Sequence, residues 1–393
     1  MPNHPAVSSS TNLLQEAKDA PLTSSLTLEE DVTSVTVRGG GAVEGKMLLS
    51  PALLQNVKVL SYFALWYFLN VMYNIYNKKL MNVLPLPASI GTVQLLVGAV
   101  YSHMKWISKI SKGPKLTSEG KVAVKRVGAY HGAGQMLSIV SMGAGPVSFT
   151  HIVKALEPFF SALVSALAFG KWMKPQVYAT LIPVVGGVGY ACLKETSFSW
   201  LQFNCAMGSN VAFALRAVMS KLAMTTPNIG ANLGPANLFG VVTTYAFIYS
   251  VPAALLLEGK SLASMWNSAL VEKTSTQLAI ATIVSGLLHY LNNEVMYLAL
   301  SNVHPVTLAV GNTMKRVFII VASVIVFRNP ISPKAAIGSA VGISGVLLYS
   351  LTKQYYEKLE AIEAEAARKK SPPRVRARAK TQVISRKSMS QRK

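Results

Sequence analysis

Long apolar runs separated by short polar joints make up most of the chain from about Lys58 onward. Most runs are near the roughly 20 residues that an α-helix needs to cross the hydrocarbon core of a bilayer. Hydrocarbon offers the backbone no hydrogen-bond partner, so helices are the favoured way to cross it. The pattern predicts ten membrane helices, near residues 58–76, 86–106, 123–143, 146–170, 176–193, 199–223, 236–256, 277–299, 304–327 and 333–352.

The composition of the chain points the same way. Of its 393 residues, 51% are hydrophobic and 14% are charged, and the mean hydropathy is +0.37. Soluble domains have about 25% charged residues, so the composition argues against a soluble globular protein. We therefore predict an all-α polytopic membrane protein.

The two ends of the chain are polar. Residues 1–57 are rich in Ser and Thr and hold several acids, with no apolar core of a secretory signal. Transit peptides are usually Arg-rich and poor in acids, so we predict a disordered N-terminal tail rather than an ordinary transit peptide. Residues 354–393 form a basic C-terminal tail, in which eleven Lys and Arg and no acid follow Ala367. Such a tail is typical of an orientation signal or a contact with anionic membrane lipid, and we predict no nucleic-acid partner.

The charges of the loops predict how the chain lies in the membrane. An even number of spans places both termini on one side, and the loop of residues 105–126 on that side holds seven Lys and Arg. Loops on the opposite side are mixed in sign. Because basic loops are retained on the cytoplasmic side, both termini are predicted to lie on the cytosolic or organelle-interior side.

The sequence also repeats itself. PVSFTHIVKALEP from Pro146 resembles PVTLAVGNTMKRV from Pro305, and FGKWMKP from Phe169 matches FRNPISP from Phe327, at separations of 159 and 158 residues. This distance covers five segments, an odd number, so the two halves are inverted relative to each other. Inverted repeats are typical of secondary transporters, whose site lies near the midplane where the repeats meet. The predicted five-helix repeats are residues 58–193 and 194–353.

Three cations in apolar segments are the strongest chemical signal. Lys154, Lys315 and Arg316 lie in corresponding helices of the two repeats. An ionised side chain at such depth costs from about 2.5 to 10 or more kcal/mol. Acids are scarce there: Glu157, at helical spacing from Lys154, is one possible partner for it, and Glu294 lies in the eighth segment. The surplus of cations indicates a dianion such as phosphate, with pairing to protein carboxylates as the alternative.

Other polar residues in the apolar segments have two interpretations each. Arg216 either binds a second anionic group or extends with Lys221 to an interface. His151 and His289 are more typical of packing or hydrogen bonding than of ligand binding. A last group either lines a cavity or forms bonds between helices: Gln135, Ser138, Asn292 and Asn293.

No enzyme signature is present in the sequence. It has no Walker A stretch, zinc-binding spacing or Gly-x-Ser-x-Gly elbow. Cys192 and Cys205 suggest neither a disulfide framework nor a metal site. We predict no catalytic residue, cofactor or metal, so any transport would be driven by gradients or by exchange.

Three motifs resemble those of a known family. WYFLNVMYNIYNKK at Trp66, PVSFTHIVKALEPFF at Pro146 and PVTLAVGNTMKRVFIIVASVIVF at Pro305 are similar to the plastidic phosphate translocators of the drug/metabolite transporter superfamily. The resemblance runs from about Lys58 to Lys353. It implies ten helices in a 5+5 inverted repeat. It also implies counter-exchange of a phosphorylated C3, C5 or C6 compound for inorganic phosphate.

The resemblance also assigns roles by position. Lys154, Lys315 and Arg316 match the phosphate-binding cations of the family, and Arg216 matches the arginine that reaches the remainder of the substrate. WYFLNV at Trp66 resembles the triose-phosphate branch, so a C3 compound such as triose phosphate or 3-phosphoglycerate is the first choice.

Three departures leave the branch open. Gln135 stands where the triose-phosphate branch has a histidine, Ser138 falls beside its small hydroxyl residue, and Asn292 replaces a tyrosine. All three are predicted to contact the remainder of the substrate. GNTMKR with FRNP looks more like the hexose-phosphate branch, so phosphoenolpyruvate, pentose phosphate and hexose phosphate are alternatives.

Two rival functions and several membranes stay open. A nucleotide-sugar transporter of the same superfamily is a weaker alternative, and a receptor or channel is a different class. The expected location is a plastid envelope or the outer membrane of a complex plastid, with the Golgi or endoplasmic reticulum as the alternative.

Overall fold

The computed structural model describes residues 51–170, 172–226, 229–302, 305–329 and 331–370. Residues 1–50 of the predicted N-terminal tail and residues 371–393 of the basic tail lie outside the described residues. Residues 51–57, which were predicted to belong to the disordered tail, are instead helical. Almost every described residue is helical, which confirms the all-α prediction. One two-residue ladder is also present, with β1 (Lys115–Leu116) antiparallel to β2 (Gly230–Ala231).

A helical stretch covers each of the ten predicted apolar segments. The helices are α1 (Pro51–Val83), α2 (Pro87–Ile107), α3 (Ser118–Gly143), α4 (Val147–Val153), α5 (Glu157–Phe169), α6 (Pro175–Ala179), α7 (Leu181–Leu193), α8 (Trp200–Thr225), α9 (Pro235–Glu258), α10 (Leu262–Glu272), α11 (Ser275–Asn302), α12 (Pro305–Phe327) and α13 (Pro333–Lys370). A 3₁₀ turn, Lys154–Leu156, joins α4 to α5. The short helix α10 falls outside the predicted segments, and α13 continues well past residue 353 into the predicted basic tail.

Helical stretches long and apolar enough to cross a membrane occur along the described part of the chain. By length and composition they are Val147–Leu167, Pro175–Leu193, Pro235–Glu258, Val310–Phe327 and Pro333–Glu363. Other long helices are less apolar because they bury polar side chains, as α1 buries Asn70, Asn74 and Asn77. Such residues point into the bundle, where partners can satisfy them.

Helices from the two halves of the chain interleave. α1 packs on α11, α2 on α9, α3 on α8, and α7 on α13. Further contacts join α2 to α11 and α3 to α9, while α5 meets α8 and α1 meets α12. The core is therefore built from contacts between the halves, and a central cavity lies between them.

The crossing of α7 and α13 is held close by small residues. A Cβ placed on Gly187 would lie 2.4 Å from the backbone nitrogen of Gly342, and one on Gly338 would lie 2.6 Å from that of Ala191. Real Cβ atoms do not approach backbone so closely. Glycine at Gly187 and Gly338 is thus required for the two backbones to touch, as is common between membrane helices.

Gly187→Ala is expected to destabilise the protein by about 1–3 kcal/mol, because the added methyl group forces α7 and α13 apart. Gly186→Ala is the matched control, since a Cβ at Gly186 meets nothing within 4 Å. Thermal unfolding of both variants in the same detergent measures the difference. Equal melting temperatures for the two would show that the crossing is not close-packed.

Charged side chains close the helix ends around the bundle. The Glu258 carboxylate accepts hydrogen bonds from the backbone N–H groups of Ala88 (2.8 Å) and Ser89 (2.7 Å) at the start of α2. The Lys78 ammonium group donates to the carbonyls of Met142 (2.9 Å) and Gly145 (3.0 Å) where α3 ends. A negative charge thus lies at the N-terminus of α2 and a positive charge at the C-terminus of α3, and each stabilises the helix end that it contacts.

Candidate functional site

A cavity of about 450 Å³ lies between the two halves, with walls from α1, α3, α4, α5, α8, α11, α12 and α13. The structure brings every predicted site residue to this one cavity: Gln135, Ser138, Lys154, Arg216, Asn292, Lys315 and Arg316. These residues come from both halves and from five places in the chain. Their convergence is a property of the fold that no local pattern in the sequence imposes.

A break in one helix places Lys154. Pro158 has no N–H to bond the carbonyl four residues earlier, that of Lys154, and its ring would clash with this carbonyl in a regular helix. The chain tightens into the 3₁₀ turn Lys154–Leu156 at this point. In this turn the N–H of Glu157 bonds the carbonyl of Lys154 instead of that of Val153. The carbonyl of Val153 accepts from the amide of Asn210 at 2.9 Å. The break therefore presents Lys154 from a turn that a second helix stabilises.

The ammonium group of Lys154 has polar and aromatic neighbours. It donates to the Ser209 hydroxyl at 2.7 Å and lies 4.5 Å from the centroid of the Phe213 ring. The ammonium group of Lys315, on α12, lies 4.6 Å from the centroid of the buried Trp66 ring. Aromatic faces attract cations, so both lysines are partly stabilised without a carboxylate.

Glu157 forms an ion pair that the sequence did not suggest. Its carboxylate accepts from the Arg316 guanidinium at 2.8 Å, across 159 residues, instead of neutralising Lys154. The possible local pair with Lys154 is not formed, because α4 packs on α12 and brings Glu157, which follows α4, beside Arg316. The side chains are 33% and 13% exposed, so the pair faces the cavity without being fully buried.

The other acid expected to compensate these charges is also engaged. Glu294 pairs with Lys105, away from the cavity. Lys154, Lys315 and Arg216 have no carboxylate within ion-pair distance among the residues that the structure describes. Five cations and one carboxylate line the cavity. Lys353 lies 4.0 Å from the Glu357 carboxylate, and the other four cations with Glu157 leave a surplus of three positive charges. Such a surplus is costly unless an anion binds there.

Arg216 reaches the cavity rather than an interface. One terminal nitrogen lies 3.4 Å from Nδ1 of His131, and the guanidinium carbon lies 5.1 Å from the Phe213 ring centroid. Within the described part of the chain, the buried Nε of Arg216 and the Nε2 atoms of His131 and His289 have no hydrogen-bond partner. A buried polar atom without a partner is unfavourable. These atoms offer a ligand several hydrogen bonds beside the cationic residues.

The amides at the predicted remainder-binding end are engaged with neighbouring helices. Gln135 donates to the Tyr73 hydroxyl at 3.0 Å and lies 3.2 Å from Nδ1 of His289. The Asn292 oxygen accepts from Asn70 at 2.9 Å, and its nitrogen donates to the backbone carbonyl of His289 at 2.8 Å. Asn292 therefore holds α11 against α1, and a direct contact to a substrate would compete with these bonds.

Comparison with known proteins identifies the fold around this cavity. The model of the Triose-phosphate Transporter family matches residues 57–350, three quarters of the chain. The chain belongs to the triose-phosphate transporter family. The resemblance drawn from the three motifs is thereby confirmed.

Individual members of the triose-phosphate transporter family are similar over most of the chain. The chloroplastic phosphoenolpyruvate/phosphate translocator 1 of Oryza sativa subsp. japonica is 39% identical over 319 residues, which are 81% of this chain and 76% of the relative. The chloroplastic triose phosphate/phosphate translocator of Flaveria trinervia is 39% identical over 76% of this chain and 72% of the relative. The chloroplastic glucose-6-phosphate/phosphate translocator 2 of Arabidopsis thaliana is 36% identical, covering 76% of each. Overall identity does not separate these three kinds of translocator.

In this member of the triose-phosphate transporter family, α1 supplies cavity residues that the sequence analysis did not select. Trp66, Asn70, Tyr73 and Asn74 all line the cavity, and Asn74 lies 2.8 Å from Nε2 of His151. The signal was present, because these residues recur every three or four positions and so share one helix face. His131 on α3 was also missed, since a single histidine in an apolar helix gives no pattern.

Proposed function

We propose that the protein is an antiporter that exchanges inorganic phosphate for a phosphorylated C3 compound, such as triose phosphate or 3-phosphoglycerate. The observation that carries this proposal is the surplus of three positive charges inside the cavity. A phosphate dianion compensates most of it, and Arg316 and the two lysines offer it charged donors. Phosphoenolpyruvate, pentose phosphate and hexose phosphate are the alternative substrates, because translocators of the first and last kinds are similarly related.

The proposed architecture is ten membrane helices in two inverted repeats of five. Contacts between helices support it, because they occur in matched pairs: α1 with α11 corresponds to α8 with α3, and α1 with α12 to α8 with α5. The α7–α13 crossing contains two equivalent contacts. Gly187 on α7 approaches Gly342 on α13, and its counterpart Gly345 on α13 approaches Val184 on α7. Glu157 and Arg316 are separated by the repeat distance of 159 residues. A pair between equivalent positions is expected where the two repeats meet on their common axis.

The proposed mechanism is alternating access controlled by charge. With phosphate bound, the cationic residues are largely neutralised, and the two halves can close around the substrate. Without an anion, Lys154, Arg216 and Lys315 repel one another, so closure and reorientation are disfavoured. The anion thus binds the closed arrangement better than the open one, as any ligand that shifts a conformational equilibrium must. Exchange becomes obligatory without an energy-coupling domain.

The proposed location is a plastid membrane, with both termini on one side. The relatives are named as chloroplastic, and the apolar helices of this chain support a membrane location. The finer choice is between the plastid envelope and the outer membrane of a complex plastid. Fluorescence of a tagged full-length chain beside markers of both membranes distinguishes them.

Reconstitution tests the proposed exchange. We expect labelled phosphate to enter liposomes loaded with phosphate or triose phosphate, and uptake into empty liposomes to stay near background. A panel of internal triose phosphate, phosphoenolpyruvate, pentose phosphate, hexose phosphate and a nucleotide sugar ranks the substrates. Equal uptake into empty vesicles, which hold no counter-substrate, would refute the charge-controlled mechanism. Currents, or flux without counter-substrate, would instead indicate a channel.

Arg216→Ala is expected to lower the exchange of organic phosphates more than the exchange of inorganic phosphate. If Arg216 binds the remainder of the substrate, its loss removes one charged hydrogen bond, worth about 1.5–3 kcal/mol, from organic phosphates. Exchange of phosphate for phosphate should fall less than exchange of phosphate for 3-phosphoglycerate. The ratio of the two rates in the same vesicles is the measurement. An unchanged ratio would assign Arg216 to the phosphate group or to structure alone.

A further inference from the structure

A second cavity, of about 470 Å³, lies near one end of the bundle. It is formed by the turn between α1 and α2, the first two turns of α2, the short helix α10, and α11. Its walls are mostly apolar, and Ser89, Asn267 and Thr282 are the polar residues among them. The large apolar side chains include Leu84, Leu86, Ile90, Val93 and Trp266. No residue of this wall lines the charged cavity.

The depth of this second cavity is set by helix geometry. Val93 lies six residues after Pro87, the start of α2, and Thr282 lies seven residues after Ser275, the start of α11. At about 1.5 Å per residue, the floor of the cavity lies roughly 10 Å below the ends of these helices. The carboxylate of Glu258 binds the first turn of α2 and fixes that end just before α10 begins. In a bilayer whose hydrocarbon begins at these helix ends, the cavity would open at the depth of the upper acyl chains.

Helix α10 forms one wall of the cavity at the end of the bundle. It is flanked by Lys260 and Lys273, and Trp266 is half-buried against the apolar residues beneath it. Lysine and tryptophan side chains are typical of the interface between headgroups and hydrocarbon. An amphipathic helix with this arrangement lies along the surface of the bilayer rather than crossing it.

The chemistry of the wall selects the occupant. No charged side chain lines the cavity, and the Thr282 hydroxyl is already bonded to the carbonyl of Leu278 at 2.8 Å. Water is poorly held by an apolar cavity, and a peptide segment would leave its backbone groups unsatisfied there. Val93 and Leu262 remain 37% and 44% exposed at the rim, so the opening is lined by hydrocarbon-compatible side chains.

We propose that this cavity is a lipid-binding site that takes one acyl chain of a membrane glycerolipid, inserted between α10 and the α1–α2 turn. The chain enters sideways past Val93 and Leu262, and its glycerol end lies beside α10. The bound chain fills the apolar gap under Trp266 and holds α10 on the bundle. The proposal requires a membrane location and is independent of which metabolite the charged cavity binds.

Native mass spectrometry of the full-length chain, purified in mild detergent with phosphatidylcholine, tests the site. The wild type is expected to retain one phospholipid after annular lipid is removed. Ala263→Phe fills the cavity and should lose this adduct, whereas Ser264→Phe, at the neighbouring exposed position outside the wall, should keep it. Phosphate exchange by both variants in liposomes provides the folding control.

Tryptophan fluorescence gives a second measurement that does not depend on whether the Ala263→Phe variant folds. The fluorescence of Trp266 is obtained as the difference in emission between the wild type and the Trp266→Phe variant. Phospholipid brominated on the acyl chain, added at low mole fraction, should quench this contribution to saturation before the other tryptophans respond. Absence of a retained lipid, or quenching that rises only with the bulk lipid fraction, would overturn the proposal. A dimer that Ala263→Phe abolishes would show that a second copy covers the cavity instead.

Discussion

Lys315→Ala is expected to lower phosphate exchange roughly 10- to 100-fold. Under the proposed function, Lys315 donates to a charged ligand, and such hydrogen bonds contribute about 1.5–3 kcal/mol. Lys315 has no carboxylate partner among the described residues, and its ammonium group lies over the Trp66 ring. Its removal therefore leaves no protein charge unpaired, and the fold should tolerate it. Initial rates of phosphate uptake into phosphate-loaded liposomes measure the loss.

Lys334→Ala is the matched control for Lys315→Ala. Lys334, the second residue of α13, is exposed and lies outside the cavity. The Lys334→Ala variant should exchange phosphate at the wild-type rate, and both variants should melt near the wild-type temperature. Wild-type exchange by Lys315→Ala would remove this residue from the phosphate site.

Glu157→Gln is expected to destabilise the empty protein by about 1–3 kcal/mol, the cost of leaving a polar group poorly paired. The change removes the carboxylate partner of Arg316 and raises the surplus of positive charge inside the cavity from three to four. Added phosphate supplies the missing negative charge. The rise in melting temperature on adding phosphate should therefore be larger for Glu157→Gln than for the wild type.

Thermal unfolding with and without phosphate measures both effects. Glu195→Gln is the matched control, since Glu195 lies outside the cavity and its half-buried carboxylate accepts hydrogen bonds from Ser197. It should match the wild type under both conditions. If Glu157→Gln without phosphate melts at the wild-type temperature, the ion pair with Arg316 does not stabilise the empty state.

Much of the fold was predictable because local rules govern it. Apolar runs of membrane length became helices, since a helix satisfies its own backbone in hydrocarbon. The short helix α10 was not predicted, because its apolar pattern is too short to span a membrane. Its pattern was nevertheless readable: apolar residues at helical spacing are Leu262, Met265, Trp266, Ala269 and Leu270.

The residues that line the candidate site could be predicted from the sequence, but the contacts between them could not. Costly charges such as Lys154 and Lys315 stand out in an apolar helix whatever the tertiary structure. The partner of Glu157 depends on how α4 packs on α12, and spacing within one helix carries no information about that packing. Asn292 shows the same limit, because its amide bonds Asn70 on a distant helix and is already engaged.

The Glu157–Arg316 ion pair bears on how the two halves of such a chain could be related by descent. Under the proposed inverted repeat, the two residues occupy matching positions, so their contact occurs once per molecule. A symmetric dimer of two identical five-helix chains would place two carboxylates, or two guanidinium groups, against each other at that point. Like charges so close would repel. A gene made by duplicating either half of this chain is expected to lose the contact, because the halves complement each other only after diverging.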